Sequence, residues 1–121
     1  MIPRVPLRQA LVDPNLLGNM LVGDTWCAWR TLLVAAMGEP LDADERELFK
    51  SITGGREHEP GQRVSELVAV VGRRGGKSRA MAVLMAYSAG LCDHSDVLVK
   101  GERGIALCDT GATDPGQFSL R

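Results

Sequence analysis

Lys77 and Ser78 close a short run of glycine and arginine, Gly72-Arg73-Arg74-Gly75-Gly76, and an apolar helical pattern follows from Ala80. Four apolar residues, Val68-Ala69-Val70-Val71, stand directly before the run. A strand, a glycine-rich turn and a helix in that order can hold the phosphates of a nucleotide, as a P-loop does. Glycines let backbone N–H groups close on phosphate oxygens with no Cβ in the way. The helix that starts at the turn adds the positive end of its dipole. In such a site the Lys77 ammonium reaches the β- and γ-phosphates, and the Ser78 hydroxyl sits on Mg²⁺. The spacing departs from G-x-x-x-x-G-K-[ST] at one place: Val71 holds the first small position and Gly72 comes one residue late. The competing interpretation is a basic, glycine-rich turn that holds no ligand.

The segment Gly72-Arg-Arg-Gly-Gly-Lys-Ser78 resembles the deviant Walker A motif of phage terminase large subunits, the ATP-driven motors that package viral DNA. In that family an arginine follows the opening small residue, as Arg73 does here. Flanking segments resemble the family in the same order. Upstream these are Trp26-Cys-Ala-Trp-Arg30, Gly38-Glu-Pro-Leu41, Glu45 to Phe49 and Thr53-Gly54. Downstream they are Cys92-Asp-His-Ser-Asp96 and Gly101-Glu-Arg-Gly-Ile-Ala106. The resemblance spans residues 10–108.

The resemblance implies ATP and Mg²⁺ as cofactors, held by Gly72, Arg73, Arg74, Gly75, Gly76, Lys77 and Ser78, with Ser78 on the metal. It implies Lys77 and Arg73, or Arg74 beside it, as the catalytic residues that meet the γ-phosphate charge. It places Arg56 or Gln62 near the adenine. In the parent family the partners are a terminase small subunit, a portal and duplex DNA, and the compartment is the cytoplasm of a bacterial host.

Composition bounds these readings. The 121 residues suit one domain at most, and 45% apolar content is too high for a disordered chain. A formal net charge of −1 argues against a nucleic-acid binder carried by bulk charge. The basic residues Arg56, Arg63, Arg73, Arg74, Lys77 and Arg79 suggest a local anion site instead. Cys27, Cys92 and Cys108 form no C-x-x-C, so neither a disulfide framework nor a zinc site is expected. A reducing cytoplasm fits that usage. Met1-Ile-Pro-Arg-Val-Pro6 lacks the continuous apolar core of a signal peptide. The apolar run Ala80 to Tyr87 is far short of the ~20 residues that span a membrane.

Helices must lead into the loop. Residues 1–12 read as an irregular or weakly helical arm. Asp13-Pro14 reads as a helix start, with Leu17, Met20 and Leu21 on one face and Gly23 at its end. A second helix begins after Asp24 or Thr25 and runs to Met37, with Trp26, Trp29, Leu33 and Met37 on one face. Gly38 and Pro40 stop it. The two tryptophans could pack in a core or against another domain, form a docking surface, or serve as an adenine platform. Asp42 opens a third helix and pairs with Glu45 in a capping box, and Leu48, Phe49 and Ile52 form its apolar face.

Residues 56–63 are a polar loop, Val64 to Val71 a buried strand, and Lys77 to Ala89 a crossover helix packed on a parallel sheet. Ile105 to Cys108 is a second short strand. The expected fold is therefore α/β: N-terminal helices followed by one βαβ unit of an incomplete P-loop NTPase sheet. The expected divisions are a helical lead-in over 1–63, a P-loop ATPase core fragment over 64–108, and a tail over 109–121.

Two motifs downstream invite other readings. Asp93-His94-Ser95-Asp96 has the residue types of a triad or a metal site, but adjacent residues rarely converge on one ligand, and the segment is expected to be a turn. Ile105-Ala-Leu-Cys-Asp109 imitates a Walker B strand, with Asp109 holding Mg²⁺ through water. Terminases carry an Asp-Glu pair there, and here Thr110 follows. The tail from Asp109 is built of turn formers and departs from the family pattern. The expectation is a truncated terminase large subunit that binds Mg-ATP without turnover and is prone to self-association. Two alternatives stay open: a non-enzymatic prophage remnant and a small P-loop nucleotide kinase.

Overall fold

The computed structural model of the chain describes residues 1–103 and the backbone of 117–120. In chain order the elements are strand β1 (Ile2–Pro3), helix α1 (Leu7–Ala10), a 3-10 turn (Asp24–Trp26), helices α2 (Cys27–Ala36) and α3 (Ala43–Ile52), strand β2 (Leu67–Val70), helix α4 (Lys77–Gly90), and strands β3 (Cys92–Asp93) and β4 (Gln117–Leu120). The fold is a mixed α/β arrangement. Both sheets are two-stranded and antiparallel, β1 with β3 and β2 with β4. The expected second strand, Ile105 to Cys108, and Asp109 lie outside the described residues.

The helix α2 forms where the spacing predicts. Its end is a Schellman motif: Gly38 N–H donates to Ala35 O at 3.0 Å and Glu39 N–H to Val34 O at 3.2 Å. Gly38 has φ +81°, and a Cβ there would lie 2.5 Å from the backbone of Gln62 and Arg63. The missing side chain is what lets residues 62–64 run beside the helix end. Val64 N–H reaches Ala36 O at 2.9 Å in the same place.

The capping box of α3 is present. Asp42 Oδ1 accepts from Glu45 N–H at 2.8 Å, and Glu45 Oε1 accepts from Asp42 N–H at 3.0 Å. Two carboxylates then tie the lead-in together. Glu39 accepts from the Leu7 and Arg8 N–H groups at 2.6 and 3.1 Å, satisfying orphan donors of α1. Glu59 takes a bidentate pair from Arg46 at 2.9 and 2.8 Å, and also the Leu41 N–H at 3.2 Å. These bonds fasten the polar 56–63 loop to α3, a role the sequence reading did not assign.

The Arg46 guanidinium, with help from the backbone of Glu59 itself and from the Leu41 N–H, holds the Glu59 carboxyl down to about 2, against an ordinary value of 4.5. A depressed carboxyl contributes stability that is fully present above its unfolded value and lost as pH falls toward its folded value. Glu59→Gln is therefore expected to lower the melting temperature at pH 7, with the gap to wild type closing between pH 4.5 and about 2. Thermal unfolding of both proteins across that range checks this. A gap that persists unchanged at pH 2 would assign the effect to packing.

The expected helix after Asp13-Pro14 does not form. Asp13 Oδ1 accepts from Asn15 N–H at 2.9 Å, an Asx turn, and the Asp13 carbonyl accepts from Leu16 and Gly18 N–H at 3.0 and 2.9 Å. The side chain offers the backbone a turn in competition with the helix. A Cβ at Gly18 would lie 2.6 Å from Asp13 O, so the tight curl also needs that glycine. Arg30 fastens the far end by donating to Leu21 O and Gly23 O at 2.6 and 2.8 Å. The arm before it holds β1 and α1, and Leu7, Ala10 and Leu11 are buried.

The core joins these turns to α2, α3 and α4 through Leu7, Leu21, Leu33, Phe49, Met81, Val83 and Tyr87. Tyr87 is fully covered, and its hydroxyl donates to Val5 O at 2.7 Å. Burial pushes its phenol pKa well up.

The strand β2 is not the buried strand expected over Val64 to Val71. It is shorter, and it alternates: Leu67 and Ala69 are half-buried, while Val68 and Val70 are 60% and 82% exposed. One face packs toward α2 and α3, and an open, largely apolar groove of about 800 Å³ runs between them. Within the tail, β4 supplies the antiparallel partner of β2, in register Leu67↔Leu120 to Val70↔Gln117. Turn formers at its start hid that short strand from the sequence reading. Among the described residues no helix is long and apolar enough to cross a membrane.

Candidate phosphate-binding site

The chain leaves β2 at Val70, turns through Val71 to Gly76, and enters α4 at Lys77. All of the residues singled out from sequence, Gly72, Arg73, Arg74, Gly75, Gly76, Lys77 and Ser78, therefore lie in one connection and the first turn of the helix that follows. Gly75 N–H donates to Gly72 O at 3.1 Å and closes the turn. Arg74 has φ 63° and Gly76 has φ 78°, both left-handed. A left-handed residue followed by right-handed helix sets successive N–H groups toward one concave side, the arrangement that accepts anions. Gly76 is the N-cap of α4 and supplies no side-chain cap. The first-turn N–H groups of any helix lack intrahelical acceptors, so this end carries donors and the positive dipole end together.

The glycines do different work. A Cβ on Gly75 would lie 2.3 Å from Val71 Cγ1, so this position needs space. A Cβ on Gly76 would lie 2.5 Å from the Trp26 ring, and φ there disfavours a side chain as well. Gly72 has open space around it and no left-handed φ. Arg73, Arg74 and Ser78 are exposed, and Lys77 is half-buried.

Two tryptophans one turn apart hold the loop from below. The Trp29 indole Nε1–H donates to Gly75 O at 2.7 Å. The Trp26 ring lies against Gly76, and the Arg79 guanidinium sits 5.4 Å from its centroid, within cation–π reach. The sequence reading placed Trp26 and Trp29 on one helix face; Trp29 is in α2, but Trp26 lies in the 3-10 turn just before it, and the reading gave neither a contact with the loop. Their spacing was the available signal. The partner, 46 residues away from Trp29, was not legible.

The expected cluster of six basic residues is not one site. Arg63 donates to the Met1 carbonyl, and Arg79 is stacked on Trp26. Arg56 lines the apolar groove, which Val71, next to the loop, also lines. Gln62 does not line that groove and packs its backbone against Gly38.

The Asp93–Asp96 segment leaves β3 at Asp93 and turns from Ser95, as expected, and its side chains have separate partners. Asp93 Oδ1 accepts from Ser95 N–H at 2.9 Å, His94 Nε2 pairs with Ser88 O at 2.7 Å, and Asp96 binds the Met1 ammonium at 2.6 Å. The Ser95 N–H holds the Asp93 carboxyl below its ordinary range, and the ammonium does the same for Asp96.

Comparison of this chain with family models, with curated proteins and with solved structures finds no match.

Proposed function

We propose that this chain is the nucleotide-binding portion of a phage or prophage terminase large subunit and binds Mg-ATP at the Gly72–Ser78 loop. The observation that carries this reading is the direct passage from β2 through Gly72–Gly76 into α4 at Lys77, with a left-handed Gly76 and no side-chain cap. In this reading β2 and α4 are the first strand and the crossover helix of a P-loop βαβ unit. Lys77 meets the β- and γ-phosphates, Ser78 takes Mg²⁺, and Arg73 or Arg74 meets the γ-phosphate charge. Exposed Val68 and Val70 support a piece of a larger sheet that self-associates when alone. The small subunit, portal and duplex DNA as partners rest on the resemblance of the loop and its flanks.

Lys77→Ala removes a charge-assisted contact of about 1.5–3 kcal/mol, so Mg-ATP affinity is expected to fall about 10- to 150-fold. Isothermal titration of wild type and variant measures this. Equal affinity in the two proteins sinks the proposal.

A further inference from the structure

We propose that Trp29 is a positioning residue for the phosphate loop: its indole N–H holds the Gly75 carbonyl so that the Gly76 N–H faces the bound phosphate. This rests on the phosphate-binding reading given above. The argument begins with the planar peptide. In a trans peptide unit the C=O and the next N–H point in opposite directions. Trp29 Nε1 lies 2.7 Å from Gly75 O, on the α2 side of the loop. The Gly76 N–H of the same peptide unit therefore points away from α2.

Glycine makes this control necessary. Gly75 and Gly76 are adjacent, and a glycine pair rotates its shared peptide plane with little steric resistance. Without an external tether the plane could turn and present the carbonyl oxygen to the phosphate, which repels an anion. Trp29 supplies the tether from a rigid support. Its side chain is only 8% exposed, and the adjacent core residue Leu33 of α2 is fully buried. Trp26, in the 3-10 turn that leads directly into α2, closes the space that a rotated Gly76 would sweep, since its ring already lies 2.5 Å from where a Gly76 Cβ would stand. Arg79 over Trp26 links that ring to the first turn of α4. The loop geometry is thus set from outside as well as by the loop's own Gly75–Gly72 bond.

The test uses Trp29→Phe, which removes the N–H donor and keeps an aromatic ring. Mg-ATP affinity by isothermal titration is expected to fall about tenfold, the loss of one well-placed hydrogen bond to a charged group, with a fall in melting temperature from the smaller core side chain that leaves the protein folded. A second measurement needs no variant to fold. The chain has two tryptophans, so two indole N–H resonances are expected in a proton–nitrogen spectrum of wild type. One of them should exchange slowly with solvent and shift as Mg-ATP is added, and its nuclear Overhauser contacts to the Gly75 and Gly76 backbone should identify it as Trp29. Binding by wild type with equal affinity in Trp29→Phe overturns this inference alone. So does a Trp29 indole N–H that exchanges freely and ignores Mg-ATP. Failure of wild type to bind Mg-ATP at all defeats the phosphate-binding reading, and this inference with it.

Discussion

Gly38→Ala is expected to cost about 3 kcal/mol or more of stability and to lower the melting temperature by on the order of 10 °C. Two costs add at this position. A left-handed φ of +81° opposes any Cβ, at about 1–2 kcal/mol. The new methyl would also lie 2.5 Å from the backbone of Gln62 and Arg63, which is not a flexible side-chain end that can swing aside. The segment would have to move off α2, breaking the Val64–Ala36 bond and the pairing of Met37 with Arg63. Gly61→Ala is the control. Its φ is +74°, but nothing lies within 4 Å of the added carbon, so only the conformational cost applies. Thermal unfolding of both variants separates the terms. Equal losses in the two proteins would mean that the close approach at Gly38 contributes nothing.

Gly76→Ala is expected to disrupt the candidate site and to destabilise the fold by about 2–4 kcal/mol. The added methyl meets Trp26 ring carbons at 2.5 and 2.6 Å, and φ is 78°. Either the half-buried Trp26 ring moves off the loop, leaving Arg79, or the loop itself shifts. Tryptophan fluorescence should change even without ligand, and Mg-ATP binding should be lost. Gly72→Ala is the contrast, because that position has open space and no left-handed φ. It is expected to leave the melting temperature unchanged. A Gly76→Ala protein with wild-type fluorescence and wild-type stability would contradict the packing of Trp26 on the loop.

The helices α2 and α3 and the start of α4 were legible in the sequence because their determinants are local. Trp29 and Leu33 share a face by spacing. Asp42 and Glu45 satisfy each other's backbone three residues apart. Gly38 ends its helix through bonds that reach back only as far as Val34. The glycine-arginine loop was legible for the same reason, since its residues are contiguous. The failed helix after Asp13 shows the limit of local signals. Asp13 favours a helix cap and an Asx turn through the same side-chain oxygen, and Gly18 tips the balance by allowing a curl that a helix would not need.

By itself, then, the sequence determined α2, α3 and the start of α4, and which residues form the candidate phosphate loop. The tertiary structure alone decided what holds that loop and what pairs with its strand. Trp29 finds Gly75 across 46 residues, Arg46 grips Glu59, and β2 takes its partner from Gln117–Leu120. None of these contacts has a period or a spacing to announce it. Each depends on the chain closing a loop first, so that groups distant in sequence meet only once the intervening elements have packed. The exposed valines of β2 follow from the same cause: a strand is buried or half-open according to what comes to lie on its faces, which its own residues do not specify.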